Sequence, residues 1–284
     1  LKRALHLVDE NADNLLMVTS FNEWHEDTMI EPVQIDVETS EPEDLTSGLA
    51  YVGYGTLYLD LLNNYTTVAP NFLEILTHYL DEHPGVGAVQ PLIYCEEPSR
   101  VIWNAGSYYL NLIGQPLVKK QLPKEKIADD TGVAVDWITG CAFLVRTDLL
   151  KKTGSLSDNM FMYFEDVDLS FRLRKLGFEL RLVPAAEIWH VGGMSNKQAK
   201  KNAEGYINPV VHYLNIRNRI WILKKFTPLY FLPVVVLYHV FYFAGILLYF
   251  LLRFRWKKLF AVTRAIRDGL TGNIAYTNHP STSI

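Results

Sequence analysis

The sequence predicts an α/β fold that is followed by a membrane-associated helical segment. Short apolar, β-branched stretches alternate with stretches of helical periodicity in the central part of the chain. One of the helical stretches begins with a cluster of carboxylates, and the run at 226–252 contains no Asp, Glu, Lys or Arg. That run is longer than the roughly 20 apolar residues that cross a bilayer.

The first predicted element is a buried strand at residues 15–20. Glu23 and Glu26 follow it, three residues apart. Two carboxylates beyond the C-terminal end of a strand suit glycoside hydrolysis, in which one acts as acid and the other as base or nucleophile. The alternative interpretation is that both are solvated loop acids.

Two further strands are predicted around the carboxylate cluster. Residues 135–146 predict a strand with Gly140 at its centre, where a ligand or another backbone approaches closely. Residues 178–190 predict a strand that ends at His190. The residues between these two strands are therefore expected to carry the chemically active groups.

That segment, residues 161–177, carries Glu165, Asp166 and Asp168 at the head of an amphipathic helix that ends at Gly177 as a C-cap. At the helix N-terminus the helix dipole favours the ionised form of Glu165 and Asp166. One of them can then act as general base on an acceptor hydroxyl. Simple capping of the helix is the alternative.

The uncharged run at 226–252 has basic residues on both sides. They are Arg217, Arg219, Lys224 and Lys225 before it, and Arg253, Arg255, Lys257 and Lys258 after it. A spanning helix has its basic excess on one side only. Charges at both ends favour a re-entrant hairpin or an interfacial helix pair that binds anionic lipid, with a buried core helix as the alternative.

The order of the central motifs resembles the C-terminal half of glycosyltransferase family 2, especially its rhamnosyltransferase-like members. The shared parts are a W-x-x-G strand, an E-D-x-D helix and a strand that ends in His. The resemblance implies a partial GT-A-like, nucleotide-diphospho-sugar transferase fold. It also implies that Asp166 is the catalytic base of an inverting transfer, that Glu165 and Arg172 support it, and that Trp137, Gly140 and Arg172 bind the acceptor.

The same resemblance implies a divalent metal, Mg²⁺ or Mn²⁺, on the donor diphosphate. His190 matches a histidine that helps to hold this metal, and residues 61–76 match the segment that carries a metal-binding Asp. Tyr65 stands where that Asp is expected. A phenol with a pKa of about 10 is a poor ligand for a hard cation, so oxygen coordination there is either lost or left to Asn63 and Asn64.

The N-terminal carboxylates carry a second resemblance. The letters N-E-W-H-E followed by I-E-P resemble the last barrel strand of family 99 endo-mannosidase-like glycoside hydrolases and of WbsX-like proteins. The resemblance implies that Glu23 is the base and Glu26 the acid. A (β/α)₈ barrel needs about 250 residues. Residues 1–60 are therefore expected to be only the remnant of a barrel.

The composition argues against one class of partner. The chain has 27 Lys and Arg against 31 Asp and Glu, a net charge of −4, and no basic stripe away from the C-terminus, so nucleic-acid binding is not expected.

Cys95 and Cys141 lie in apolar surroundings, which favours free thiols in a reducing compartment. Nucleotide sugars are made in the cytosol, and the first residues lack a signal-peptide pattern. We therefore expect the cytoplasmic face of the cell membrane, in a bacterium the inner membrane.

These patterns divide the chain into three parts: the barrel remnant at 1–60, a family 2-like catalytic half at 61–215 and a membrane-associated helical region at 216–284. The leading hypothesis is a glycosyltransferase that moves a sugar from a nucleotide-sugar donor to a polysaccharide or lipid-linked acceptor by an inverting, metal-assisted mechanism. The nucleotide-binding half is not expected within residues 1–60. One alternative is a hydrolase fragment that uses Glu23 and Glu26, and another is a non-catalytic, membrane-tethered glycan-binding module.

Overall fold

A computed structural model describes residues 15–19, 66–95, 100–120, 132–157, 159–190, 197–202 and 205–272 of the protein. The strands are β1 (Leu15–Thr19), β2 (Thr66–Val68), β3 (Val86–Cys95), β4 (Ile102–Asn104), β5 (Ser107–Leu110), β6 (Gln115–Val118), β7 (Val133–Val135), β8 (Ala142–Arg146), β9 (Glu179–His190), β10 (Lys197–Asn202) and β11 (Gly205–Ile207). The α-helices are α1 (Phe72–Glu82), α2 (Thr147–Thr153), α3 (Glu165–Lys175), α4 (Pro209–Phe226), α5 (Leu232–Leu252) and α6 (Trp256–Thr271). A 3-10 helix, Leu229–Phe231, directly precedes α5.

Seven of the described strands form the central sheet. Its order is β1-β8-β3-β9-β2, with β4 paired to β3 and β7 paired to β9. The long central pair of β3 and β9 is parallel, and the other pairs are antiparallel. This sheet confirms the α/β class that the sequence predicts.

Helices cover both faces of the sheet because its central strands are apolar on both sides. Ala142 and Leu144 of β8 join a buried cluster with α1. Phe143 and Val145, which point to the opposite face, join a cluster with α2 and α3. The helix that carries the predicted catalytic acids is therefore packed directly on the sheet.

The helices α4, α5 and α6 pack on one another, and their buried cluster includes Met162 from the loop before α3. Within the described part of the chain, residues 229–252 are the one helical stretch long and apolar enough to cross a membrane, and only 22% of its most apolar window is buried. Leu237 and Phe241 are 59% and 70% exposed. α5 is one uninterrupted helix, so the uncharged run does not fold as a re-entrant hairpin.

The predicted strand at 135–146 is interrupted, and this part of the prediction is wrong. β7 ends at Val135 and β8 begins at Ala142, with a loop between them. In this loop the backbone N–H groups of Thr139 and Gly140 donate to side chains rather than to a neighbouring strand. The glycine that was expected at the centre of a strand therefore lies in a loop.

The strand predicted at residues 15–20 is present as β1. It pairs antiparallel with β8 at the edge of the central sheet, whereas a barrel strand would be parallel to its neighbours. The other residues of the proposed barrel remnant at 1–60 lie outside the described residues. The proposed boundary between residues 215 and 216 falls inside α4.

Candidate functional site

The carboxylate pair predicted from the sequence lies in the first turn of α3. The helix begins at Glu165, and Gly177 with a φ of 89° closes its end, as predicted. Glu165 is buried, with 6% of its surface exposed, and Asp166 is half-buried. The pair faces the loop between β7 and β8, where a Cβ on Gly140 would lie 3.3 Å from Glu165 Oε1. A side chain at position 140 would therefore crowd the Glu165 carboxylate by a few tenths of an ångström.

Asp166 accepts backbone hydrogen bonds at both carboxylate oxygens. The Gly140 N–H donates to Oδ2 at 2.8 Å, and the Val167 N–H donates to Oδ1 at 2.7 Å. Burial raises the pKa of Asp166 to about 6, although these two hydrogen bonds favour the ionised form. At neutral pH such a carboxylate is mostly ionised and can still take up a proton, which suits a general base.

Glu165 has a different environment from its neighbour. Its Oε2 has no hydrogen-bond partner among the described residues. Burial, and then the charge of Asp166, raise the pKa of Glu165 well above its ordinary value. The expectation that the helix dipole keeps both acids ionised is therefore wrong for Glu165. A dipole contribution of about 0.3–1 kcal/mol at a helix end does not offset the removal of a carboxylate from water.

The loop at 138–140 is fixed by buried polar side chains that the sequence interpretation missed. The Thr139 N–H donates to Gln90 Oε1 at 3.0 Å, and Gln90 Nε2 donates to Asn104 Oδ1 at 3.2 Å. The backbone N–H at position 138 donates to Ser170 Oγ at 3.0 Å. One signal was visible in the sequence, because Gln90 interrupts the apolar pattern of its strand.

The loop immediately before α3 has an unusual backbone. Three non-glycine residues in it have left-handed φ values: Phe161 at 60°, Tyr163 at 68° and Phe164 at 68°. For residues with a Cβ this conformation costs about 1–2 kcal/mol each. Since Phe164 directly precedes the carboxylate pair, the conformation of this loop sets the direction in which the first turn of α3 leaves it.

Two neighbouring residues of α4 hold this loop. Asn218 Nδ2 donates to the carbonyl oxygens of Met160, Met162 and Tyr163 at 2.8, 2.9 and 2.8 Å. Arg217 is fully buried and donates to the carbonyl oxygen of Met160 at 3.2 Å. The sequence interpretation placed both residues in the membrane-associated helical region at 216–284. In the structure they support the loop before α3.

Two of the predicted acceptor-binding residues are engaged with the protein. Trp137 is 8% exposed and donates from Nε1 to the carbonyl oxygen of Tyr108 at 3.0 Å. Arg172 Nε donates to Asp168 Oδ2 at 2.8 Å, and its other nitrogens donate to three carbonyl oxygens at residues 153–155. These contacts indicate that Arg172 positions the segment after α2. Contact of either residue with an acceptor stays a prediction.

The predicted metal ligand His190 ends β9, where it is buried and its ring lies 5.8 Å from that of Trp103. Among the described residues no group of three His, Cys, Asp or Glu side chains could hold a metal ion. Other predicted site residues lie outside the described residues: Asn63, Asn64, Tyr65, Glu23 and Glu26. The side chains of the described part do not form a metal site by themselves.

Comparison with known protein families identifies the family of the central region. The model of the family described as "Glycosyltransferase like family 2" matches residues 61–204, which is half of the chain. The matched region contains the carboxylate pair, the Gly140 loop and His190.

Similar curated proteins include two rhamnosyltransferases. Rhamnosyltransferase WbbL of Escherichia coli K12 is 38% identical over 79 residues, which cover 28% of this chain and 29% of that protein. The N-acetylglucosaminyl-diphospho-decaprenol L-rhamnosyltransferase of Mycobacterium tuberculosis is 43% identical over 56 residues, 20% of this chain and 18% of that protein. The chain therefore spans less than a third of the length of these relatives.

Among solved structures, similarity is found to the crystal structure of GalNAc-T7 with UDP, GalNAc and Mn²⁺. The TM-score is 0.38 with 13% sequence identity, over 56% of this chain and 30% of that one.

Proposed function

The chain belongs to glycosyltransferase family 2, and on this premise we propose that it carries the acceptor-side half of a sugar-transfer site, with Asp166 as the catalytic base. The observation that carries the proposal is the environment of Asp166. Its carboxylate is oriented by two backbone N–H groups, and burial brings its pKa to about 6. The family's GT-A-like fold agrees with the α/β sheet described above.

The reaction proposed here is an inverting transfer from a nucleotide-sugar donor. Asp166 takes the proton of an acceptor hydroxyl as the hydroxyl oxygen attacks C1 of the donor sugar. The bond from C1 to the donor phosphate breaks, and the nucleoside diphosphate leaves with that electron pair. Burial and the charge of Asp166 raise the pKa of Glu165 well above its ordinary value, which favours the neutral form of Glu165 beside the base.

The acceptor proposed here is a lipid-linked or growing polysaccharide at the cytoplasmic face of the cell membrane. One of the relatives is named for a diphospho-decaprenol acceptor. In this chain the loop before α3 packs on the cluster of α4, α5 and α6, and α5 exposes apolar side chains such as Leu237 and Phe241. An apolar helix of this length that is mostly uncovered in the protein suits contact with lipid. This arrangement supports an acceptor presented at the membrane surface.

A divalent cation, Mg²⁺ or Mn²⁺, stays a prediction that rests on His190 and Asn64. When bound, such a cation would neutralise charge on the leaving diphosphate. Of these two residues, the structure describes only His190.

Two alternatives lack a specific observation in their favour. The hydrolase hypothesis depends on Glu23 and Glu26, which lie outside the described residues. The glycan-binding hypothesis predicts no need for a titrating base, whereas the buried pair of Glu165 and Asp166 has the perturbed pKa values that are typical of catalytic sites.

The decisive experiment compares the chain with Asp166→Asn, which keeps the size and one of the two backbone hydrogen bonds but cannot take up the proton. Sugar transfer is measured with a panel of UDP-, GDP- and dTDP-sugars, with and without Mn²⁺, on a membrane extract that supplies acceptors. Where the unaltered chain transfers sugar, we expect a loss of about 100-fold or more in the variant. The control is Asp148→Asn, an exposed acid of α2. Equal transfer by the chain and by Asp166→Asn would remove Asp166 from the mechanism.

A further inference from the structure

We propose that Arg219 binds the phosphate groups of a lipid-linked acceptor, between the catalytic loop and the apolar helix α5. This inference rests on the proposed function and deepens it, because it assigns a residue to a chemical class of acceptor. It starts from the environment of Arg219 itself. The side chain is 9% exposed, and its one hydrogen bond to a described residue runs from Nη1 to Gln115 Oε1 at 2.5 Å.

Several basic residues of α3, α4 and α6 pair with carboxylates, and Arg219 does not. Lys225 and Arg172 both pair with Asp168, at 2.6 and 2.8 Å. Arg267 pairs with Asp268 at 2.9 Å. Arg219 has no carboxylate partner among the described residues, and its partner Gln115 is uncharged. A mostly buried cation without a counter-charge is unfavourable unless something else supplies the negative charge.

Aromatic rings hold the Arg219 guanidinium in place. Its central carbon lies 5.5 Å from the centre of the Phe164 ring and 5.1 Å from that of the Tyr242 ring. Such cation–π contacts fix the group while leaving its N–H edge available. Nε and Nη2 make no hydrogen bond within the described part of the chain. Nε2 of His239, a buried nitrogen without a hydrogen-bond partner among the described residues, belongs to a ring that lies 6.0 Å from the Tyr242 ring.

The location of Arg219 matches the order of groups in a lipid-linked acceptor. Phe164 is the residue directly before Glu165, so one side of the guanidinium faces the start of the catalytic helix. Tyr242 lies in the middle of α5, so the other side faces the apolar helix. An acceptor in which phosphate joins the reacting sugar to a lipid would place its sugar near Asp166, its phosphates near Arg219 and its lipid along α5.

Arginine is suited to this role. Its planar guanidinium is charged at every physiological pH and presents N–H groups in a fork that matches two phosphate oxygens. A lysine would supply the charge without the fork. A lysine at position 219 is therefore expected to restore phosphate binding only in part.

Calorimetric titration tests the proposal without any need for sugar transfer. The full chain in detergent is titrated with farnesyl diphosphate, inorganic pyrophosphate and farnesol. We expect farnesyl diphosphate to bind, and Arg219→Gln to weaken that binding about tenfold or more, the value of a charge-assisted hydrogen bond. Pyrophosphate is expected to bind more weakly with the same dependence on Arg219. Any heat from farnesol should be unchanged in the variant.

The matched control is Arg253→Gln, which removes an exposed positive charge at the end of α5. We expect this variant to bind farnesyl diphosphate within about twofold of the unaltered chain. Equal weakening by both variants would mean general charge attraction and would overturn the proposal. Arg219→Lys should fall between the unaltered chain and Arg219→Gln, and it remains informative if Arg219→Gln does not fold.

Vesicles of phosphatidylglycerol separate an acceptor site from a site for membrane headgroups. If Arg219→Gln weakens vesicle binding as much as farnesyl diphosphate binding, the residue serves the membrane surface and the proposal is wrong. Absence of binding by the unaltered chain would also overturn it. Neither outcome bears on the role of Asp166. If Asp166→Asn transferred sugar as well as the unaltered chain, a positive result for farnesyl diphosphate binding would still stand.

Discussion

The support of the loop before α3 by Asn218 can be tested with Asn218→Leu, which keeps the side-chain volume and removes the Nδ2 donor together with the Oδ1 acceptor of the Arg217 Nε–H. Asn218 is fully buried, and its Nδ2 reaches three carbonyl oxygens at 2.8–2.9 Å. The amide group has two hydrogens, so its loss removes about 1–3 kcal/mol of net hydrogen bonding. The carbonyl oxygens left without a donor add a further cost of about 1–3 kcal/mol if the loop stays in place.

The strain in the same loop acts in the opposite direction. Three left-handed residues hold about 3–6 kcal/mol that is released if the loop relaxes after the substitution. We therefore expect the free energy of unfolding to fall by only about 2 kcal/mol, while the loop loses its native conformation. Since Phe164 directly precedes the carboxylate pair, sugar transfer should fall much further, by about 100-fold.

Urea unfolding, amide hydrogen exchange at residues 160–168 and sugar transfer are measured together. The control is Asn215→Leu, one turn earlier on α4, whose Nδ2 donates to the carbonyl oxygen of Val211 in the same helix at 3.2 Å. Faster exchange at 160–168 should appear in Asn218→Leu and be absent from Asn215→Leu. Unchanged exchange in Asn218→Leu would refute the assignment of Asn218 as a support of the loop, whatever happens to stability.

Three other predictions concern the carboxylates and α5. The raised pKa of Glu165 means that the folded state holds its proton more tightly than the unfolded chain, so this group lowers stability as pH rises above about 4.5. Glu165→Gln should therefore be more stable than the unaltered chain at about pH 8, and this advantage should be smaller at about pH 5, as measured by urea unfolding. An equal difference in stability at the two pH values would contradict this. Gly140→Ala places a Cβ 3.5 Å from Asp166 Oδ2. We expect sugar transfer to slow by about tenfold while the free energy of unfolding falls by less than about 1 kcal/mol. Transfer kinetics and urea unfolding measure the two effects. The double change Leu237→Gln and Phe241→Gln should lower co-sedimentation with vesicles by about tenfold without a change in unfolding; undiminished co-sedimentation would argue against contact of α5 with lipid.

The sequence by itself determined the features that depend on neighbouring residues. The acidic first turn of α3, its closure at Gly177 and the strand that ends at His190 all follow from local patterns of charge, periodicity and glycine. The uncharged run that becomes α5 is also a local property. The order of these motifs was sufficient to indicate the family, since it is a property of the chain and not of its packing.

Tertiary structure alone decided the chemistry of the carboxylate pair. Local reasoning gave Glu165 and Asp166 the same charge state, because the helix dipole acts on both. In the folded chain their environments differ, because two backbone N–H groups donate to Asp166 while Glu165 Oε2 has no hydrogen-bond partner in the described part. Which donors reach a buried oxygen depends on contacts between distant segments, such as the one from Gly140 to Asp166.

The role of α4 was also invisible in the sequence. Asn218 lies 55 to 58 residues from the carbonyl oxygens that it holds, and no local pattern links it to them. The left-handed residues before α3 have no sequence signal either, because Phe and Tyr do not favour that conformation. A strained backbone exists only where distant hydrogen bonds and packing outweigh its energy, and for this reason the fold, and not the local sequence, decided the shape of the catalytic loop.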